Sequence, residues 1–117
     1  MTTTEPVQST TGWVAICPVE RLLPGRGVTA LVAGRPVAVF VLSDGSVAAL
    51  DDRDPFSGAC VLSRGIVGDV AGQATVASPV YKQRFDLRTG QCLDDEAVTV
   101  QVWPARIHDG HIEIGLP

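Results

Sequence analysis

Apolar residues recur along this chain in short runs, each closed by Gly, Pro, Asp or Ser. Trp13 to Cys17 reads as a first strand, and Pro18 to Leu23 as a single helical turn with Pro18 at its start and Pro24-Gly25 at its end. Val28 to Val32, Pro36 to Leu42 and Val47 to Asp51 follow as an antiparallel meander. Its second turn, Ser43-Asp44-Gly45-Ser46, has the Asp-Gly pair that tolerates the positive φ of a tight hairpin. Residues 52 to 65 show no periodicity and hold Pro55, Gly58 and Gly65, so they read as a loop. Ile66 to Val70, Thr75 to Ala77 and Gln83 to Leu87 are further short strands, the last closed by Arg88-Thr89-Gly90. Val98 to Trp103 alternates with period two, Val98, Val100 and Val102 facing inward as in a half-buried strand. Arg106 to His108 and His111 to Ile114 make a final hairpin around Asp109-Gly110. No segment carries a long helical period. The pattern predicts an all-β antiparallel sandwich or partly open barrel.

Composition narrows the class. At 117 residues one domain is expected, large enough to bury a core without staples. We expect it to span residues 12–117, after a disordered tail from Met1 to Thr11 rich in Thr, Ser, Gln and Pro. The formal net charge of −4 argues against nucleic acid, which requires a basic face. Cys17, Cys60 and Cys92 are odd in number and form no C-x-x-C pair, which favours reduced thiols over a disulfide frame or zinc knuckle. The N-terminal residues lack the basic and apolar regions of a signal peptide, and the longest apolar run, Val37 to Leu42, is far short of a membrane span. A cytoplasmic protein is expected.

Two segments carry the chemistry. Asp54-Pro55-Phe56 is followed by Ser57-Gly58 and Ser63-Arg64-Gly65; Ser78-Pro79-Val80-Tyr81 is followed by Arg84-Phe85-Asp86-Leu87-Arg88-Thr89-Gly90. In these segments, and in the order meander, two loops, C-terminal hairpin, the chain resembles the Rieske iron–sulfur family over residues 12 to 116. That family holds a [2Fe–2S] cluster with C-x-H in the first loop and C-x-x-H in the second, two Cys on one iron and two His on the other. The resemblance implies a Rieske-like fold with two cluster-type loops. Here all four ligand positions differ: Asp54 and Ser78 stand at the Cys positions, Phe56 and Tyr81 at the His positions. Such iron favours thiolate and imidazole. Asp54, Ser78 and Tyr81 offer only oxygen, and Phe56 offers no donor. Cys60 would need a shift of register, and Cys92 lies beyond the strand and turn. No cofactor or metal ligand is therefore expected in this chain. Phe56 and Tyr81 are expected to pack together in the volume a cluster would fill. Asp54 and Ser78 are expected to bond loop backbone amides.

Rieske-like domains with these losses are found in the small subunit of assimilatory NAD(P)H-dependent nitrite reductase. The chain is similar to that group in length, in its opening Trp13-Val14-Ala15-Ile16-Cys17-Pro18, and in the degenerate loops. The resemblance implies a place in nitrogen metabolism and a partner, a large subunit bearing FAD, siroheme and iron–sulfur centres that reduces nitrite to ammonium. The small subunit would not be catalytic on its own. Two rival readings are a Rieske-type ferredoxin with an atypical metal site and a free-standing regulatory β domain.

Other candidates are weaker. His108 and His111 would face each other across the last hairpin, yet two ligands do not make a metal site. Asp51, Asp52 and Asp54 form a carboxylate cluster without the spaced ligands of a calcium loop. Gly25-Arg26-Gly27 has no following helix and reads as a turn. Asp94-Asp95-Glu96 reads as a solvated acidic loop. No nucleophile–base pair can be argued from the sequence. Of the nine basic residues, Arg53, Arg64, Lys82, Arg84 and Arg88 lie in or beside the two loops. They suggest a partner-docking surface, with Arg53, Arg64, Lys82 and Arg84 as its core.

Overall fold

In the computed structural model, which describes residues 12–116, ten strands form three antiparallel sheets. Strands β1 (Gly12–Pro18), β2 (Gly27–Val32), β3 (Arg35–Val41) and β4 (Val47–Asp51) come first, with a 3₁₀ turn at Val19–Arg21. A second 3₁₀ turn, Leu62–Arg64, precedes β5 (Ile66–Val70), β6 (Gln73–Ala77) and β7 (Arg84–Asp86). The chain ends with β8 (Val102–Trp103), β9 (Ala105–His108) and β10 (His111–Leu116). The sheets are ordered β1-β10-β9, β2-β3-β4-β8 and β5-β6-β7. The Met1 to Thr11 tail and Pro117 lie outside the described residues. Among those described, no helix is long and apolar enough to cross a membrane.

The unbroken apolar run in β3 has a simple cause. Its side chains alternate between two cores, and both faces of the strand are covered. Ala38 and Phe40 join Leu50, Leu62, Val76, Phe85 and Leu87 on the side of the small β5-β6-β7 sheet. Val37, Val39 and Val41 join Trp103, Ile112 and Ile114 on the side of β10. The four-stranded sheet is thus shared by two packed layers, and no barrel closes among the described residues.

The strand expected from Val98 to Trp103 is reduced to Val102–Trp103. The inward alternation persists: Val100 is buried, and Val98 and Val102 pack on the same core. The ladder is lost because the segment changes sheets as it runs. Cys92 N–H donates to Val98 O and Val100 N–H to Gly90 O on the small-sheet side, whereas Asp51 N–H donates to Gln101 O on the central one. Gly90 permits the crossing: its φ is +79°, and a Cβ there would run into the Val100 carbonyl.

Residues 52–65, which follow β4, and 78–83, which join β6 to β7, meet beside the small sheet. They contain the four cluster-type positions, Asp54, Phe56, Ser78 and Tyr81.

Candidate functional site: two matched loops closed on each other

The two loops share one backbone design. In the first, Asp54 N–H donates to Ala59 O (2.8 Å) and Gly58 N–H donates to Asp54 O (2.7 Å). In the second, Ser78 N–H donates to Gln83 O (2.9 Å) and Lys82 N–H donates to Ser78 O (3.0 Å). Each loop opens on a polar residue followed by proline, and that side chain accepts from the amide two residues on. Phe56 N–H reaches Asp54 Oδ1 at 2.9 Å, and Val80 N–H reaches Ser78 Oγ at 3.2 Å. These are the Asx and Ser turns expected at Asp54 and Ser78. The flanking residues pair alike, Arg53 with Cys60 and Ala77 with Arg84. Even the left-handed residue recurs, at Gly58 (φ +79°) and Lys82 (φ +69°).

The loops are joined at their first residues. Ser78 Oγ donates to Asp54 Oδ2 at 2.5 Å, and both residues are 0 % exposed. Ser57 Oγ donates to the same oxygen at 3.0 Å. The side chains at the two former thiolate positions are therefore consumed by each other and by their own loops.

The aromatic positions differ from expectation. Phe56 leans inward on the core, its ring 6.2 Å from that of Phe85 and tilted by 45°. Tyr81 does not meet it; it is 60 % exposed. The expected Phe56–Tyr81 contact is thus replaced by Phe56–Phe85. No spacing in the sequence marks this pair, because Phe85 reaches the loop through the β6–β7 pairing. The donor set does not fit a [2Fe–2S] cluster. Phe56 brings no lone pair, Tyr81 faces solvent, and Asp54 and Ser78 hold the fold together.

The three neighbouring carboxylates separate into three tasks. Asp51 faces outward, accepting from Arg35 Nη2 (2.7 Å) and Trp103 Nε1 (2.8 Å). Asp52 turns in, accepting from Ser63 N–H (2.7 Å) and Thr29 Oγ1 (2.9 Å), and so pins the first loop to the meander. Asp54 holds the second loop. The sequence reading missed Asp52 as an anchor; its partners lie on other elements, and only a buried acid within a loop hints at them. No group of metal-binding side chains converges among the described residues. His108 and His111 do oppose each other across the Asp109-Gly110 turn, but both are exposed. The Gly25-Arg26-Gly27 segment is a turn into β2.

The basic residues also divide. Arg84 clamps Asp94, with Nη2 to Oδ1 at 3.0 Å, Nε to Oδ2 at 3.3 Å and its own N–H to Oδ2 at 2.8 Å. That clamp holds the Asp94 carboxyl below its ordinary range and raises the Arg84 guanidinium. Arg88 reaches Asp44 (3.7 Å) and Ser46 (3.0 Å) at the hairpin turns. Arg53, Arg64 and Lys82 have no ion-pair partner among the described residues.

Residues 12–115 match the family described as the Rieske-like [2Fe-2S] domain. The chain is 43 % identical to the nitrite reductase (NADH) small subunit of Salmonella typhimurium, over 87 % of this chain and 95 % of that one. A solved chain from Mycobacterium tuberculosis, described as an NADH-dependent nitrite reductase small subunit, superposes with a TM-score of 0.88 at 51 % identity, covering 91 % of this chain and 96 % of that one. A third match lies in the nitrite reductase [NAD(P)H] large subunit of Klebsiella oxytoca, 39 % identical over 95 % of this chain but only 12 % of that polypeptide. The chain belongs to the Rieske-like domain family and, within it, to the small subunits of NAD(P)H nitrite reductase.

Proposed function

We propose that the chain is the non-redox small subunit of a cytoplasmic, assimilatory NAD(P)H nitrite reductase. It binds and orients a large subunit whose FAD, siroheme and iron–sulfur centres reduce nitrite to ammonium, and carries no electrons itself. The observation that carries this reading is the Ser78–Asp54 hydrogen bond, which spends both former thiolate positions on joining the loops. Phe56 supports it by filling its position with an aromatic ring on the core. The Klebsiella match supports the partnership, since there a similar domain occupies a small share of a polypeptide named as the large subunit. Two domains fused in one chain act at high effective concentration, which separate subunits must replace with affinity.

The test is anaerobic purification of this chain alone and with its large subunit. The expected result is iron- and sulfide-free small subunit without visible charge-transfer bands, no nitrite reduction by it alone, and a stable complex. About two iron and two sulfide per chain, as a [2Fe–2S] cluster requires, would overturn the reading.

A further inference from the structure

The matched loops deploy their side chains in opposite directions. At the third position, Phe56 packs inward, while Val80 is 44 % exposed. At the fourth, Ser57 turns back to Asp54, while Tyr81 is 60 % exposed. At the fifth, the first loop uses glycine for its left-handed residue, and the second uses Lys82 at φ +69°. A lysine held there is strained, where glycine is not. The next residue, Gln83, keeps a buried Oε1 with no hydrogen-bond partner among the described residues. One segment therefore combines two exposed apolar side chains, a strained cation and an unsatisfied amide. Local rules fail together in this way where a surface is shaped for something outside the chain.

Charge says what that is. Arg53 adjoins Asp54, and Arg64 adjoins Gly65, where a Cβ would strike the carbonyl of Ala77, the neighbour of Ser78. Arg53, Arg64 and Lys82 thus lie in or beside the two loops joined by the Asp54–Ser78 bond, with no ion-pair partner among the described residues, on a chain whose formal charge is −4. Asp51, Asp52, Asp54 and Asp94 are all engaged within the fold. Arg84 is spent on Asp94 and falls outside the patch.

We infer that Val80-Tyr81-Lys82 is the docking anchor of the chain, rimmed by Arg53 and Arg64, and that it seats on an acidic, apolar-centred surface of the large subunit. This rests on the partnership proposed above. The first loop seals the fold, and the second presents it. Tyrosine suits the centre of such a patch, burying a large rigid surface with a polar tip, while the cations steer encounter and set its salt dependence.

The test is a binding titration of full-length wild type and variants against the purified large subunit, at two salt concentrations, beside thermal melts of each variant. Tyr81→Ala weakens binding by roughly tenfold or more. Lys82→Glu weakens it and reduces its salt dependence. Lys82→Gly is the discriminating variant, because it melts higher than wild type and yet binds less tightly. Arg88→Ala, at the hairpin-turn end, binds as wild type does. Wild-type binding that survives both Tyr81→Ala and Lys82→Glu overturns the docking face alone. Failure of the wild type itself to bind overturns the partnership, and the face with it.

Discussion

Ser78 donates to Asp54 across 2.5 Å, and solvent reaches neither residue. The bond connects loops 24 residues apart in sequence, so it fixes the end of the small sheet as well as its own turns. Ser78→Ala removes the Val80 amide's side-chain acceptor and leaves Asp54 Oδ2 with Ser57 alone, and is expected to cost about 1–3 kcal/mol. Asp54→Ala orphans the Phe56 amide and the hydroxyls of Ser57 and Ser78 together, and is expected to cost about 3 kcal/mol or more. Urea melts check both. A loss under about 0.5 kcal/mol for Asp54→Ala, the level of an ordinary surface change, would remove the bond from its structural role.

The two aromatic loop residues should separate cleanly in stability. Phe85→Ala empties a fully buried site and is expected to cost about 3–5 kcal/mol. Phe56, partly exposed and packed on it, is expected to cost roughly half as much. Tyr81→Ala is expected to stay within about 0.5 kcal/mol, since most of its ring already meets water. Equal losses at Phe56 and Tyr81 would contradict the observed Phe56–Phe85 pairing.

The sequence disclosed some of this and hid the rest for definite reasons. Alternation and turn chemistry marked the meander, because β2, β3 and β4 are joined by local hairpins. Asp-Pro and Ser-Pro marked the turns, because an Asx or Ser turn is a contact within three residues. The chemistry of Phe56 could be read from its side chain alone. Its partner Phe85 could not, since that contact crosses from loop to strand. The Val98–Trp103 ladder misled for a related reason: period two reports which side chains face inward, not which neighbour takes each backbone bond. The likeness of the two loops also escaped, as Asp-Pro-Phe-Ser-Gly-Ala and Ser-Pro-Val-Tyr-Lys-Gln share only the proline.

The Arg84–Asp94 clamp sets a pH signature. Its hydrogen bonds hold the Asp94 carboxyl below its ordinary range. A depressed carboxylate stabilises the fold above its unfolded pKa, about 3.9, and that contribution disappears as pH falls through the lower folded value. The pair is exposed, so the effect is small and screened by salt. A carboxyl-detected NMR titration of Asp94 is expected to show a midpoint below those of solvated aspartates. Arg84→Gln is expected to raise it toward the ordinary value. A midpoint unmoved by Arg84→Gln would remove the clamp as its cause.

The three thiols should react in a fixed order. Cys60 is exposed beside the first loop, Cys17 is half-buried in β1, and Cys92 is buried in the core. Burial pushes the Cys17 thiol up, and nearby Arg21 only partly offsets this. Thiolate is the reacting species, so alkylation at mildly basic pH is expected to modify Cys60 first, Cys17 more slowly, and Cys92 only on unfolding. Arg21→Gln removes the offsetting charge and is expected to slow Cys17 further while leaving Cys60 unchanged. Because Cys60 pairs with Arg53 across the loop, it also offers a reporter at the rim of the inferred docking face. Its labelling is expected to slow when the large subunit is bound, while that of Cys17 does not. Mass spectrometry over a time course reads both rates, and equal protection of the two thiols would place the partner elsewhere.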